Sequence, residues 1–228
     1  MPAYSWPNDP VEIIRYFEIR HQNPDAGALL LFAVWAVDSL HYLTDLDCAH
    51  DFSASPIGDH RPDVVEVAHV RWATGTSISA LDLCAAGLGR ALCAHIGPRE
   101  LDIGDFDPAT PSKRIVRLRG LLPLDARLWV DTLYADPRYK QIVAARHSLT
   151  HARLTRHFAV PRQRLRLQVE NDALDVPTLI DYARDVGTRH VSTLLAIVPR
   201  DSRLLADATL LPTRQSLTLR PRGRTFTR

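Results

Sequence analysis

Along most of this chain, hydrophobic residues recur every three or four positions, which is the spacing of α-helices. Between Ala26 and Asp45, apolar side chains recur every three or four residues, at Leu29, Phe32, Ala33, Ala36, Leu40 and Leu43. This spacing predicts a helix that buries one face. From Asp63 to Ile96 a second long helix is predicted, with a heptad-like apolar seam that is typical of bundles. That seam consists of Ile78, Leu81, Ala85, Leu88 and Leu92.

The second half of the chain continues the pattern and adds one short alternating segment. A helix is predicted from Leu124 to Tyr134, and Asp136-Pro137 opens another that extends to about Phe158. Residues Arg164 to Val169 alternate strictly between polar and apolar, and a turn follows, which indicates a β-hairpin. The last helix begins at Pro177 and carries an apolar stripe at Ile180, Ala183, Gly187, His190, Leu194 and Ile197.

These elements predict a mostly α fold. We expect an up-and-down bundle of four to five helices with a small β-hairpin before the last helix. Residues 1–25 form an N-terminal arm in which Asp9 and Pro10 begin a short helix to about His21. Residues 26–198 form the bundle domain, and residues 199–228 form a basic C-terminal tail.

The composition indicates a cytoplasmic globular protein. The longest uncharged apolar run, Ala26 to Val37, is interrupted by Asp38 and is shorter than the about 20 residues that a membrane span requires. No basic segment followed by an apolar core stands at the N-terminus, so no secretory signal is predicted. The three cysteines are an odd number, and we interpret Cys84 and Cys93 as small buried side chains in a reducing compartment.

The formal net charge of +2 hides an uneven distribution. From Arg138 to Val169 the chain carries eight Arg or Lys residues and no Asp or Glu, and the last thirty residues carry seven Arg against Asp201 and Asp207. The remainder of the chain is net acidic. A basic stretch in an otherwise acidic chain indicates a polyanionic partner.

The predicted helix after Pro137 has two faces. At about 100° per residue, Ala145, Leu149 and Ala152 fall within about 80° of Ile142 and form its core-facing stripe. His147 and His151 fall roughly opposite the centre of that stripe, while Arg146 lies at its edge. The imidazoles therefore point away from the core, and the aliphatic residues beside them, Val143 and Leu154, suggest that a second chain packs there.

The segment Arg146-His147-Ser148-Leu149-Thr150-His151 resembles the motif of the HEPN (higher eukaryotes and prokaryotes nucleotide-binding) domain family, an Arg, a polar residue, three variable residues and a His. The resemblance covers residues 26–198. It implies a metal-independent endoribonuclease that works as a homodimer, with the two motifs meeting in a cleft. Arg146 and His151 would be catalytic and His147 would assist. A role as a toxin or defence component, with an antitoxin-like partner protein, is also implied.

The chemistry of these residue types suits RNA cleavage by the 2′-OH group. A histidine can serve as base or acid near neutral pH, and an arginine can hold two phosphate oxygens. We expect 2′,3′-cyclic phosphate and 5′-hydroxyl products from single-stranded RNA, with no cofactor. The RNA backbone would be bound by basic residues around the cleft, namely Lys140, Arg153, Arg156, Arg162, Arg164 and Arg166.

Two other hypotheses remain open. The first is a non-catalytic HEPN-type module that binds a nucleotide or a protein on the same face. The second is a helical protein with an incidental motif and a scaffold or metal-binding role, because His147 and His151 lie one helical turn apart and His157 could add a third ligand.

Some family members are modified by a nucleotidyltransferase on a Tyr two positions after the motif His. Here that position is Arg153, which argues against this form of regulation. His41, His50, His60, His69 and His95 are expected in solvent or loops.

Overall fold

The computed structural model describes residues 24–49, 62–91, 101–109, 119–120, 122–150, 164–169 and 172–197, together with Trp6 and Glu12. Within them lie five α-helices, one short 3-10 helix and two strands. In chain order these are α1 (Pro24–Ala49), α2 (Pro62–Ala91), the 3-10 helix (Ile103–Phe106), α3 (Leu124–Ala135), α4 (Pro137–Thr150), β1 (Arg166–Val169), β2 (Asp172–Asp175) and α5 (Val176–Ile197). The helices pack together and the hairpin precedes the last one, which confirms the predicted mostly α fold.

Helices α1, α2 and α5 pack against one another and form the centre of the bundle, while α4 packs on α2, α3 and α5. The predicted seam of α2 is buried as far as the structure describes it, through Leu88. The predicted stripe of α5 is buried from Ile180 to Leu194, and Ile197 is half-buried. Gly187 lets α5 approach α1 closely, because a Cβ there would lie 3.2 Å from Leu40 Cδ1.

The buried face of α1 differs from the predicted one. Ala33, Leu40 and Leu43 are buried as predicted, but Phe32 is 51% exposed and Leu29 is only half-buried. The helix carries apolar residues on nearly every side between residues 26 and 37, so the sequence pattern leaves its orientation undetermined. Packing against α2 and α5 instead selects a face that includes Leu30, Val34 and Val37.

Asp136 sets the corner between α3 and α4. Its Oδ1 accepts a hydrogen bond from the backbone N–H of Arg138 at 2.9 Å, which caps the start of α4 as the Asp-Pro pair predicts. Its Oδ2 accepts one from Arg189 of α5, also at 2.9 Å. A single buried carboxylate therefore links three helices and fixes where α4 begins.

The hairpin is antiparallel, with Arg166 opposite Asp175 and Val169 opposite Asp172. Leu167 and Val169 face the core while Arg166 is exposed, in agreement with the predicted alternation. The backbone N–H of Val176 donates to the carbonyl of Leu165 at 3.0 Å, which holds the start of α5 against β1.

Helix α1 is the one described helix that is long and apolar enough to cross a membrane. Within its segment Asp25–Ala49, an 18-residue window has a mean hydropathy of 1.5, and 44% of that window is buried within the bundle. The absence of a membrane partner therefore stays a prediction. The predicted tail (199–228) and nearly all of the predicted N-terminal helix lie outside the described residues, although Glu12 is helical.

Candidate functional site

One face of α4 is exposed and carries the first part of the motif. Its core-facing side chains, Ile142, Ala145 and Leu149, are buried as the helical periodicity predicts. Arg146 and His147 are both exposed. The predicted outward orientation of His147 is therefore confirmed, whereas His151 follows the last described residue of α4 and lies outside the described part of the chain.

A cavity of about 480 Å³ adjoins this exposed face. We call it the Asp82 cavity. Helix α2, the 3-10 segment and α4 each contribute to its walls, and both Arg146 and His147 open onto it. Its lining consists of Ile78, Asp82, Asp102, Ile103, Gly104, Tyr139, Val143, Arg146, His147 and Thr150.

The acidic wall of the Asp82 cavity is held by backbone hydrogen bonds. The N–H of Ile103 donates to Asp82 Oδ1 at 3.0 Å, so α2 anchors the 3-10 segment. Asp102 and Asp105 form a capping box in which each side chain accepts from the other's backbone N–H. Tyr134 of α3 also donates its hydroxyl proton to the carbonyl of Ile103, at 2.6 Å. The carboxylates of Asp82 and Asp102 therefore have fixed positions.

Burial raises the pKa values of two groups in this cavity. Desolvation raises the pKa of the Asp82 carboxyl, and the hydrogen bond from the Ile103 N–H and the positive charge of Arg146 oppose that shift only in part. Burial also raises the pKa of Tyr139 to about 12, so its hydroxyl is protonated at neutral pH. The cavity therefore holds an acidic group that retains its proton to higher pH than an ordinary aspartate.

A second cavity, of about 330 Å³, lies on the other side of Arg146. We call it the Gly75 cavity. It is lined by Arg71, Thr74, Gly75, Arg146, Leu149 and Thr150. Arg71 donates from its guanidinium to the carbonyl of Leu149 at 3.0 Å, which satisfies a carbonyl in the last turn of α4. Because Arg146 and Thr150 line both cavities, the two adjoin along the exposed face of α4.

The predicted RNA-binding residues have different environments. Lys140 on α4 and Arg166 on β1 are exposed. Arg153, Arg156 and Arg162 lie outside the described residues, and so does His157. The structure therefore brings Arg146, His147 and Lys140 onto one helix, and of the other predicted residues it describes only Arg164 and Arg166.

Arg164 forms a clamp with buried acids. Its guanidinium donates to both oxygens of Asp47, at 3.0 and 2.8 Å, and to Glu66. The backbone N–H of the next residue, Leu165, also donates to Glu66, at 3.0 Å. Its guanidinium is thus engaged in a structural ion pair that joins the chain before β1 to α1 and α2, and we leave Arg164 out of the candidate site.

His69 belongs to the same cluster and corrects a sequence-based expectation. Its Nδ1 lies 2.8 Å from Asp47 Oδ1, and the residue is buried, not in solvent or a loop as predicted. A lone histidine gives no sequence signal of its partner. Here that partner is 22 residues away on α1, and tertiary packing alone brings the two together.

Sequence reasoning missed the α2 wall of both cavities. Arg71, Gly75, Ile78 and Asp82 follow one another at intervals of four, three and four residues, which places them on one face of the helix. That spacing was visible in the sequence, but nothing in it indicates that this face meets α4.

The described residues contain no group of three or more His, Cys, Asp or Glu side chains that could hold a metal ion. Of the three histidines in the metal hypothesis, His151 and His157 lie outside those residues, and His147 is exposed on α4. Comparison of the chain with models of protein families, with curated proteins and with solved structures finds no match.

Proposed function

We propose that this chain is a metal-independent, HEPN-type endoribonuclease that cleaves single-stranded RNA. The observation that carries the proposal is the exposure of Arg146 and His147 beside a cavity of about 480 Å³, on the residues that lead directly into His151. Small-molecule sites in proteins span about 300–1,000 Å³, so the cavity is large enough for a nucleotide.

The proposed reaction uses the RNA's own 2′-hydroxyl. A base removes the 2′-OH proton, O2′ attacks phosphorus, and the P–O5′ bond breaks as an acid protonates the departing O5′. The products are a 2′,3′-cyclic phosphate and a 5′-hydroxyl, and no cofactor is needed. Arg146 would stabilise the negative charge of the phosphorane. His151 would be one proton-transferring group, and His147 would orient the substrate or the other imidazole.

The second proton-transferring group would come from a second copy of the chain. Each chain supplies one motif histidine, whereas the reaction needs both an acid and a base. A homodimer formed through α4 would bring two His151 side chains to one phosphate. The exposed, partly apolar surface around Val143, which is 40% exposed, supports such a contact.

The remaining predicted cations would guide the RNA backbone. Lys140 and Arg166 are exposed on α4 and β1, and Arg153 and Arg156 follow the motif closely in sequence. Arg164 is excluded because it is bound to Asp47 and Glu66. We further propose a cytoplasmic role as a toxin or defence component that is restrained by an antitoxin-like partner protein.

A non-catalytic nucleotide-binding module of the same type is the second candidate. The Asp82 cavity favours it, because this cavity is formed within one chain and would accept a mononucleotide without a dimer. In that case the cavity would bind nucleotide tightly and RNA would remain uncut.

Cleavage of a labelled single-stranded RNA in EDTA tests the proposal. The wild type should cut, and His151→Ala and Arg146→Ala should each lose nearly all activity while they melt at the wild-type temperature. Arg127→Ala, an exposed arginine on α3, is the matched control and should cut normally. Equal cutting by wild type and His151→Ala would refute the proposal. Tight nucleotide binding by a wild type that does not cut would favour the second candidate.

A further inference from the structure

Gly75 lies near the middle of α2, and packing does not account for it. Glycine weakens a helix interior by about 1 kcal/mol relative to alanine, and close packing against a neighbouring element can offset that cost. Gly87 and Gly187 have such close packing, because a Cβ would lie 3.1 and 3.2 Å from leucine side chains. At Gly75 a Cβ would meet no atom within 4 Å. The space that this glycine leaves open belongs to the Gly75 cavity.

Two guanidinium groups border that open space. Arg71 on α2 and Arg146 on α4 both line the Gly75 cavity. In the part of the chain that the structure describes, neither arginine forms a salt bridge with a carboxylate. Two like charges that share a cavity repel each other, and an anion between them removes that repulsion. Arginine pairs bind phosphate oxygens through paired N–H donors.

We propose that the Gly75 cavity is a phosphate-binding subsite of the RNA substrate, in which Arg71 and Arg146 together hold one phosphodiester group. Gly75 provides the room for that group to approach α2, and the exposed Thr150 stands at the rim. The inference rests on the proposed function for the identity of the ligand. It adds a residue, Arg71, that lies outside the motif and on a different helix.

Filling the cavity is the sharpest test. Gly75→Leu would place a side chain into the Gly75 cavity, and its melting temperature should stay close to that of the wild type because the new Cβ meets no atom within 4 Å and leucine favours a helix more than glycine does. Its affinity for a short 2′-O-methyl RNA, which cannot be cleaved through a 2′-OH, should fall by roughly tenfold or more. Ala49→Leu adds similar bulk on an exposed position of α1 and should bind like the wild type.

Arg71→Gln is the second variant. Glutamine removes the charge and is too short to reach the Leu149 carbonyl, which water can then hydrogen-bond at the cavity surface, so α4 should stay intact while RNA binding weakens. The dependence of log affinity on log salt concentration should become shallower by about one, as expected when one phosphate contact is lost. Arg71→Lys, which keeps the charge, should recover most of that slope.

The outcomes separate the two proposals. Suppose that the wild type cuts RNA and that both Gly75→Leu and Arg71→Gln bind and cut RNA as well as it does. This result would overturn the subsite and leave the nuclease proposal standing. Weaker binding by Gly75→Leu and Arg71→Gln, with normal binding by Ala49→Leu, would support the subsite. A wild type that neither binds nor cuts RNA would overturn both. If inorganic phosphate inhibits the wild type but not Arg71→Gln, and Arg71→Gln binds RNA with the wild-type affinity, the cavity is a free-anion site. This result would also overturn the subsite.

Discussion

Replacing Arg164 with methionine removes the cation from the clamp that holds the chain against α1 and α2. Asp47 and Glu66 are 3% and 4% exposed, and both accept hydrogen bonds from this one guanidinium. Methionine has a similar length but no charge, so it leaves two buried carboxylates without their cation. His69 and the N–H of Leu165 would still contact them, but neither restores the lost fixed charge.

The expected cost follows from the burial of the partners. Removing one member of a buried ion pair costs about 3–5 kcal/mol, chiefly because the other member keeps its desolvation penalty. The Arg164 side chain is 30% exposed, so water reaches part of the cluster and the lower end of that range applies. For a chain of this size, about 3 kcal/mol corresponds to a fall in Tm of roughly 6–12 °C.

Thermal melting by circular dichroism measures this loss, and Arg166→Met is its matched control. Arg166 lies two residues away, carries the same side chain and is exposed on β1. Its replacement should change stability by about 0.5 kcal/mol or less. Well below both melting temperatures, Arg164→Met should also bind RNA no more weakly than Arg166→Met does.

The opposite result would refute the clamp. Suppose that Arg164→Met melts at the same temperature as Arg166→Met but binds RNA more weakly than Arg166→Met does. Arg164 then contacts RNA, and its contacts with Asp47 and Glu66 contribute little stability. A large loss of stability in both variants would instead indicate that the hairpin, and not the ion pair, is the sensitive element.

Three other predictions concern protonation. Because burial raises the pKa of Asp82, the protonated carboxyl stabilises the fold fully below about pH 4, and this stabilisation is lost as the pH rises above that value, so the Tm advantage of Asp82→Asn over wild type should grow as the pH is raised from about 4. Burial lowers the pKa of His190, so wild type should lose stability as pH falls below about 6.5, and a His190→Gln melting series should show a shallower loss. Burial raises the pKa of the Cys84 thiol, so native protein should be labelled by a thiol reagent at exposed Cys48 and at Cys84 only after unfolding, as checked by peptide mass spectrometry.

The sequence predicted helices best where local chemistry decides their ends. Asp136-Pro137 predicted the start of α4, and the observed cap forms within that local segment. The stripe of α5 was predicted because polar residues cover its other face. The buried face of α1 was not, since Phe32 and Leu30 are equally apolar and only packing against α2 and α5 distinguishes them.

The candidate site divides in the same way. The exposure of His147 follows from the periodicity of α4 alone, so the sequence was sufficient. Asp82 and Arg71 join the site through the packing of α2 against α4, although they lie 64 and 75 residues before Arg146 in the sequence. Arg164 shows the converse. Its position in a basic stretch suggested RNA, whereas nothing in that stretch indicates the two distant acids, Asp47 and Glu66, that bind it in the structure.

The charges around Arg146 constrain how an RNA strand would lie in the proposed site. Asp82 and Asp102 border the cavity on one side of Arg146, and Arg71 borders the cavity on the other. A phosphate on the acidic side would face two carboxyl groups, whereas on the Arg71 side it would face a second guanidinium. The acidic side suits the sugar and base, because carboxylates accept hydrogen bonds from hydroxyl and amino groups. Arg146 would then hold the phosphate at the boundary between the two cavities, next to the point where the chain continues into His151.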